Sequence, residues 1–423
     1  MSSNEARAAV EAVWRSESAR IVGALARYTG EFPLAEDLAQ EALAEAIVSW
    51  SVNGIPSEPA GWLLTAGRRR AIDTFRRRSA RDEKYALLAR DLSDEEPGVD
   101  TLFNPDAIDD DVLALMFISC HPVLSKEARI ALTLRVVGGM GSDEIAKAFL
   151  VPVPTIQARI TRAKKTLAAA HIPFAVPERQ EIPERLGSVL QVLYLIFTEG
   201  SFASAGDSWI RTELAAEARR LARVLLRLAP EPEVFGMLAL MELTAARFPA
   251  RLDPAGHPIL LEDQDRRRWD QSAIRRGRAA LASAVAAGRG LGAYGLQASI
   301  AECHAVARSA AETDWQRIVI LYEALGRLTG SPIVDLNGAV AVAMAAGPAA
   351  GLDIVDTLDR KGDLEGSHLL PTVRGELLAR LGRHEEAAAA LTAALDLCSN
   401  AAERIALERK IAQLGEGQLR EAQ

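Results

Sequence analysis

Apolar residues recur every three to four positions near the start of the chain and define amphipathic helices. Residues 7–28 place six apolar side chains on one stripe, and residues 34–50 do the same with six more. After a turn-rich segment at 51–59, a third apolar stripe runs from Trp62 to Phe75. This period is typical of helices that bury one face. The pattern therefore predicts three packed helices at the N-terminus.

A helix-turn-helix pattern follows at 142–167. Ser142 has the hydroxyl of a helix cap, Pro152 and Pro154 interrupt the chain, and Pro154 suits the first turn of a second helix. The opposite face of that helix is polar and basic, as in helices that enter the major groove, although a solvated basic face has the same pattern. Its apolar face consists of Ile156, Ile160, Ala163 and Leu167.

The second half of the chain is Ala-rich and helical in pattern. The turn at 382–387 joins two apolar segments as in a tetratricopeptide hairpin. A similar turn begins at Gly347, 35 residues earlier, and Thr313 to Trp315 lies roughly another period back. Stacked hairpins bury a continuous seam that none of them buries alone. The spacing predicts tetratricopeptide-like repeats, clearest at 310–415.

Composition agrees with an all-α fold of several domains. Aromatic residues make up 5% and apolar residues 49% of the 423 residues, with no long alternating β-branched run. A chain of this length is too long for one ordinary core. The predicted divisions are an N-terminal domain at 1–90, a linker at 91–111, a helix-turn-helix domain at 112–172 and a helical extension at 173–423.

The hydrophobic pattern shows no apolar signal core near the N-terminus and no membrane span. No segment reaches the roughly 18 apolar residues that a span requires, so we expect a cytoplasmic protein without membrane contact. Its three cysteines are far apart, which favours neither a disulfide framework nor a zinc site. We expect no metal, no cofactor and no enzymatic activity, because no catalytic constellation or phosphate-binding glycine pattern occurs.

Charge is strongly segregated along the chain, although its net value is −8. Residues 91–111 carry nine acids and no base, which suits a linker acting as a nucleic-acid mimic or as a disordered spacer. Residues 112–172 carry eight bases and three acids. Seven arginines lie within 68–81, where they bind a polyanion or merely solubilise the helix. The acidic total therefore does not argue against DNA binding.

Three motifs, in order, resemble those of sigma-70-type RNA polymerase initiation factors of the extracytoplasmic-function group. Residues 34–43 resemble the D-x-x-Q-E-type segment that holds the polymerase clamp. Residues 62–78 resemble the promoter-opening helix, with its W-L…A…R…A-I-D…R-R-R run. Residues 142–167 resemble the reader of the minus-35 element. The order and spacing of the three motifs make the resemblance specific.

The resemblance implies core RNA polymerase and promoter DNA as partners. The residues expected at the polymerase are Glu36, Asp37, Gln40 and Glu41. Those expected at the minus-10 element are Asn53, Trp62, Arg68, Arg69, Arg70, Arg76, Arg77 and Arg78. Those expected to face the minus-35 bases are Thr155, Gln157, Ala158, Thr161 and Arg162, with Arg159, Lys164 and Lys165 on the phosphates. Trp62 has a second interpretation as a core residue, because it shares a stripe with Leu63 and Phe75.

Five further segments resemble a subgroup with a long helical C-terminal extension. They are 119–124, 148–151, 172–174, 192–200 and 297–304. The resemblance implies that this extension controls the factor in place of a separate anti-sigma protein, with a small regulatory protein as a further partner. Thr198 departs from the Asn expected before Glu-Gly. Gln157 and Ala158 replace more polar residues, which leaves the minus-35 sequence open.

Two other functions fit parts of the pattern. A one-component helix-turn-helix regulator would use the helical half to bind a ligand or to dimerise, and it would bind a palindromic site without polymerase. A scaffold would use only the tetratricopeptide-like half. The arginine-rich helix argues against the scaffold.

Overall fold

Helices account for all the regular structure that the described residues contain. The computed structural model describes residues 3–79, 105–149, 151–178, 180–201, 212–253, 259, 261–362, 364–398 and 401–421. Within these ranges lie eighteen α-helices, three short 3-10 helices and no β-strand, which confirms the all-α prediction. The chain forms two compact units, residues 1–196 and 197–423.

The N-terminal unit contains seven helices and most of an eighth in its described part. They are α1 (Ser3–Thr29), α2 (Phe32–Asn53), α3 (Pro59–Ser79), α4 (Pro105–Ser119), α5 (Lys126–Val136), α6 (Ser142–Phe149), α7 (Val153–Ala169) and α8 (Ile182–Ser201), whose last residues belong to the second unit.

Helices α1 to α3 pack through the apolar stripes that the sequence predicts. Trp50 of α2 and Phe75 of α3 are each 1% exposed, and Leu25 of α1 is fully buried. Gly67 lets α3 approach α1, since a Cβ there would lie 2.8 Å from a methyl carbon of Leu25. Helix α2 is longer than predicted because it continues to Asn53, where a glycine at positive φ ends it.

The predicted helix-turn-helix consists of α6 and α7. Pro154 lies in the first turn of α7, as predicted. At the start of α6, the Gly141 amide donates a hydrogen bond to the Glu144 carboxylate over 2.7 Å. The four apolar residues predicted to face the core, Ile156, Ile160, Ala163 and Leu167, are all buried.

Residues 91–104 of the acidic linker predicted at 91–111 lie outside the described residues. From Pro105 onward the chain is already helical, as the start of α4. Asp111, the last acid of the predicted linker, is buried, and its Cβ lies 2.9 Å from the position that a Cβ on Gly23 would take. The end of the acidic segment therefore packs against α1.

The C-terminal unit continues with ten α-helices in its described part. They are α9 (Thr212–Leu228), α10 (Pro232–Ala245), α11 (Gln271–Ala286), α12 (Ala293–Val306), α13 (Trp315–Thr329), α14 (Pro332–Ala346), α15 (Pro348–Lys361), α16 (Leu369–Arg380), α17 (His384–Leu397) and α18 (Ala401–Glu421). The three 3-10 helices lie between α10 and α11, at Phe248–Ala250, Leu261–Asp263 and Arg266–Arg268.

Helices α12 to α18 pack as consecutive neighbours along a continuous apolar seam. One buried cluster joins α12, α13 and α14, a second joins α14 to α17, and a third joins α17 to α18. The predicted turns at Gly347 and Gly382 each lie between two helices, and both glycines have positive φ. The hairpins are thus where the sequence places them, while their assignment as tetratricopeptide repeats stays a prediction.

A close helix crossing in the second unit generates a stability prediction. A Cβ on Gly236 of α10 would lie 2.6 Å from the backbone nitrogen of Gly295 in α12. We expect Gly236→Ala to lower the free energy of unfolding of this unit by about 1–3 kcal/mol, because backbone rather than a flexible side chain must move. Thermal unfolding of the full chain, followed by circular dichroism, measures the effect.

Gly338→Ala is the matched control. A Cβ there meets only the Cβ of Tyr322 at 3.4 Å, an ordinary contact. The better helix propensity of alanine should then raise stability by up to about 1 kcal/mol. Equal changes in the unfolding midpoint of Gly236→Ala and Gly338→Ala would contradict the close backbone contact between α10 and α12.

Candidate nucleic-acid interface

The acidic face of α2 is formed as predicted, but only part of it faces solvent. The Pro33 ring opens the helix, and the residues expected at the polymerase follow in its first turns. Asp37 and Glu41 are exposed and Gln40 is half-buried. Glu36 is 3% exposed, which is unusual for a carboxylate. Its burial requires a partner.

Two cations from the helix-turn-helix domain contact this face. Lys164 Nζ of α7 donates to Glu36 Oε2 over 2.6 Å and also to the Asp37 carboxylate. Arg135 of α5 donates to the side-chain oxygen of Gln40, and its Nε lies 3.7 Å from Glu36 Oε1. Three of the four residues expected at the polymerase are therefore in contact with α5 or α7.

Lys164 keeps its positive charge in neutral solution. Burial lowers the pKa of Lys164, but Glu36 and Asp37 raise it more, so the pKa lies above its usual value. A raised lysine pKa means that the stabilisation is lost only as pH rises through that raised value. Neutral solution therefore leaves the contact intact.

Two more contacts join helices α1 to α3 to the helix-turn-helix domain. Arg15 of α1 pairs with Glu144 of α6. Gly139 has φ +68°, and a Cβ on it would lie 3.0 Å from the Trp14 carbonyl oxygen, so the turn before α6 lies directly on α1. Helices α1 to α3 and α4 to α7 thus form one packed body.

Asp111 of α4 belongs to that packing through an ion pair with α1. Burial raises the pKa of Asp111 to about 6, although Arg27, whose Nη1 is 3.4 Å from the carboxylate, lowers it. Nearby Asp110 also raises this pKa.

The arginine-rich helix α3 is partly neutralised by α2. Arg70 donates to Glu41 over 2.8 Å and to Glu45 over 2.9 Å, and Arg69 pairs with Glu45. Arg68 lies over the Tyr28 ring, 4.5 Å from its centroid. The remaining basic residues expected at the minus-10 element are Arg76 and Arg77, both exposed, and Arg78, whose side chain lies outside the described part.

The end of α2 and the loop after it present apolar side chains to solvent. Val52 is 78% exposed and Ile55 is 46% exposed, while Asn53 between them is also exposed. Trp62 is half-buried and packs edge-on against Trp50, with ring centroids 5.7 Å apart. Trp62 therefore has a packing role and still shows part of its ring.

The outer face of α7 is open to solvent along the residues expected to read DNA. Gln157, Ala158, Thr161 and Arg162 are exposed, and Thr155 is half-buried. The Arg162 guanidinium contacts only its own helix, at the Ala158 carbonyl over 3.3 Å. Of the residues expected on phosphates, Lys165 is exposed, Arg159 is half-buried and Lys164 is engaged by α2.

Sequence reasoning missed the residues that join these elements. Arg135 lies 95 positions from Gln40, and Arg15 lies 129 positions from Glu144. Glu45, the partner of Arg69 and Arg70, was not among the residues predicted for the site. Contacts at such separation leave no periodic signal, so only the packing reveals them.

Within the described ranges, no group of three His, Cys, Asp or Glu side chains could hold a metal ion. All three cysteines are buried, and none of them forms a disulfide. None of the described helices is long and apolar enough to cross a membrane.

Family comparisons match three successive parts of the chain. Residues 13–81 match sigma-70 region 2, residues 114–167 match sigma-70 region 4, and residues 185–285 match a family of unknown function (DUF6596). The first two ranges contain α2, α3 and the helix-turn-helix.

Relatives extend over most of the chain. An uncharacterized protein of Rhizobium meliloti (strain 1021) is 42% identical over 387 residues, which is 90% of each chain. A probable ECF RNA polymerase sigma factor, SigI, of Mycobacterium tuberculosis is 26% identical over 172 residues, which cover 40% of this chain and 58% of the relative. No solved structure matches the chain.

The two matched regions occur in the order and places that the sequence motifs predict, and the SigI likeness points to the same group. Such factors initiate transcription without being enzymes, in association with core RNA polymerase and promoter DNA. The chain belongs to the extracytoplasmic-function group of the sigma-70 family and carries a helical C-terminal extension.

Proposed function

We propose that this chain binds core RNA polymerase and directs it to specific promoters, and that its C-terminal helical unit controls this activity. The observation that carries the proposal is helix α7, whose apolar face is buried while its outer face stays open. Such a helix can enter a major groove with Thr155, Gln157, Thr161 and Arg162 at the base edges. A small regulatory protein acting on the C-terminal unit stays a prediction.

The N-terminal helices supply the remaining contacts of the proposed function. The exposed loop around Asn53 offers apolar surface to a base extruded from the duplex, with Trp62 beside it. Arg76 and Arg77 lie further along α3 and are exposed to reach phosphates. Arg69 and Arg70 are paired with Glu45 and Glu41. They can bind DNA phosphates only after these ion pairs break.

The packed unit is a resting state in this proposal. The minus-10 and minus-35 elements are about 25 base pairs apart, which is about 85 Å of duplex at 3.4 Å per base pair. Helices α2 and α7 are instead joined by a 2.6 Å ion pair. The two regions must therefore separate before they contact both elements at once.

Separation exchanges one set of charge contacts for another. Glu36, Asp37 and Gln40 are held by Lys164 and Arg135 in the packed unit, and the proposal needs the same side chains for polymerase. Opening returns both ions to water rather than leaving one of them buried alone, so it costs less than breaking an ion pair inside a core. Basic groups on polymerase can then replace the internal partners.

Run-off transcription from a promoter library with purified core polymerase tests the function. We expect the full chain to produce start sites that core polymerase alone does not use. A chain ending at residue 201, at the end of α8, should change their yield if the C-terminal unit controls activity. Tight binding to a palindrome without polymerase, and no new start sites, would indicate a one-component regulator.

Arg162→Ala tests whether α7 reads the minus-35 element. Its loss should weaken use of the preferred minus-35 element by the 1–3 kcal/mol typical of one base contact, about five- to 150-fold. Arg7→Ala removes an exposed arginine of α1 and should leave promoter choice unchanged.

Lys164→Glu tests the resting state. Reversing this charge places a third carboxylate beside Glu36 and Asp37, so we expect the packed unit to open and core polymerase to bind severalfold more tightly. Polymerase affinity is measured without DNA, by fluorescence anisotropy of the labelled full chain, which removes any effect on phosphate contacts.

Lys165→Glu is the matched control because Lys165 is the exposed neighbour on the same helix. It changes the net charge equally but does not touch α2. Equal affinities of wild type and Lys164→Glu would show that the α2 contact does not compete with polymerase.

A further inference from the structure

Two arginines of the C-terminal unit lie beside Trp269, and a third, Arg251, lies near one of them, Arg247. Arg247 and Arg251 flank the 3-10 helix Phe248–Ala250, and Arg266 begins the 3-10 helix before Trp269. The guanidinium carbons of Arg266 and Arg247 are 4.9 Å and 5.7 Å from the centre of the Trp269 ring. Both guanidinium groups therefore lie near the indole ring.

The acceptors of Arg266 and Arg247 in the described structure are neutral groups. Arg266 donates to the carbonyls of His304 and Ala307, over 2.5 Å and 2.8 Å. Arg251 is 7% exposed and donates to the Ser201 carbonyl over 2.9 Å. Arg247 donates through Nε to the Gln264 side chain over 3.4 Å, a long bond that leaves its terminal nitrogens available.

Within the described part of the chain, Arg247 and Arg266 form no ion pair with a carboxylate. Burial, together with repulsion by Arg251 and Arg266, lowers the pKa of Arg247 to about 10. Burial alone lowers the pKa of Arg251 to about 10. For Arg247, which has no carboxylate partner among the described residues, this direction indicates positive charge that is poorly solvated.

Two buried donor-bearing rings lie beside this charge. Trp269 is 3% exposed, and its Nε1 has no hydrogen-bond partner in the described structure. His304 Nδ1 is also buried without a partner. Burial, with Arg247 and Arg266, lowers the pKa of His304 to about 4, so this ring is neutral and adds no charge. Buried polar groups are rarely left unpaired unless something absent from the chain satisfies them.

We infer that the cluster around Trp269 is a binding site for a small oxyanion, a molecule bearing a phosphate or carboxylate group. Guanidinium forks bind such groups through two parallel hydrogen bonds, and Arg247 has its terminal nitrogens free for one. The Trp269 Nε1 hydrogen supplies a further donor. The anion neutralises charge that the described carboxylates leave unbalanced.

The inference does not depend on the proposed function. The arginines and Trp269 lie within 185–285, the range that matches the family of unknown function, and His304 lies beyond it. The site belongs wholly to the C-terminal unit.

Titration of the full chain with inorganic phosphate, and separately with succinate, tests the site. Each titration is compared with sodium chloride at the same ionic strength. The observable is the indole N–H resonance of Trp269 in protein labelled with ¹⁵N-tryptophan, assigned with Trp269→Phe. We expect a saturable shift with at least one of the two anions. A stronger response to phosphate identifies a phosphate-bearing ligand, and a stronger response to succinate identifies a carboxylate-bearing one.

Arg247→Gln should weaken that binding at least tenfold. Arg268→Gln is the matched control, because Arg268 is an exposed residue of the neighbouring 3-10 helix. In chloride, Arg247→Gln should unfold at or above the wild-type temperature, since it removes a buried charge.

Three results would overturn the inference. The first is no shift of Trp269 by either anion beyond that in chloride. The second is equal weakening by Arg247→Gln and Arg268→Gln. The third is a lower unfolding temperature of Arg247→Gln in chloride, which would show that Arg247 serves packing alone. If Arg247→Gln does not fold, Arg247→Lys replaces it, because lysine keeps the charge but loses the fork.

Discussion

The packing of the N-terminal unit depends on one buried carboxylate, Glu36 of α2. Lys164 and Arg135 approach it from two other helices. A buried carboxylate without a cation is strongly destabilising, so these helices leave only if water or another basic group replaces them. In the proposed function the same carboxylate contacts polymerase. Packing of the two sigma regions and polymerase binding therefore compete for a single group.

Buried charge is compensated differently in the two units. The N-terminal unit pairs Glu36 with cations of its own, which makes its charge contacts exchangeable between the chain and a partner. In the C-terminal unit, Arg247 and Arg266 have neutral acceptors, and the inferred oxyanion supplies the opposite charge. Ligand binding, which the sequence suggested for a one-component regulator, is thus compatible with a sigma factor.

Periodicity predicted the elements well because it reports which face of a helix is buried. The core face of α7 and the turns at Gly347 and Gly382 lie where the pattern places them. The pairing of Arg70 with Glu41 and of Lys164 with Glu36 was not predictable, because each joins two different helices, at separations of 29 and 128 positions. Acidic and basic faces were identified separately, and nothing local indicated that they neutralise each other.

The distance between α2 and α7 tests the resting state most directly. Spin labels on Ala44→Cys and Ala168→Cys, both at exposed positions, report it by pulsed electron resonance in the full chain, where the native cysteines are buried. The account predicts one short distance in the free protein and a distance tens of ångströms longer on core polymerase with promoter DNA. An unchanged distance in that complex would contradict it.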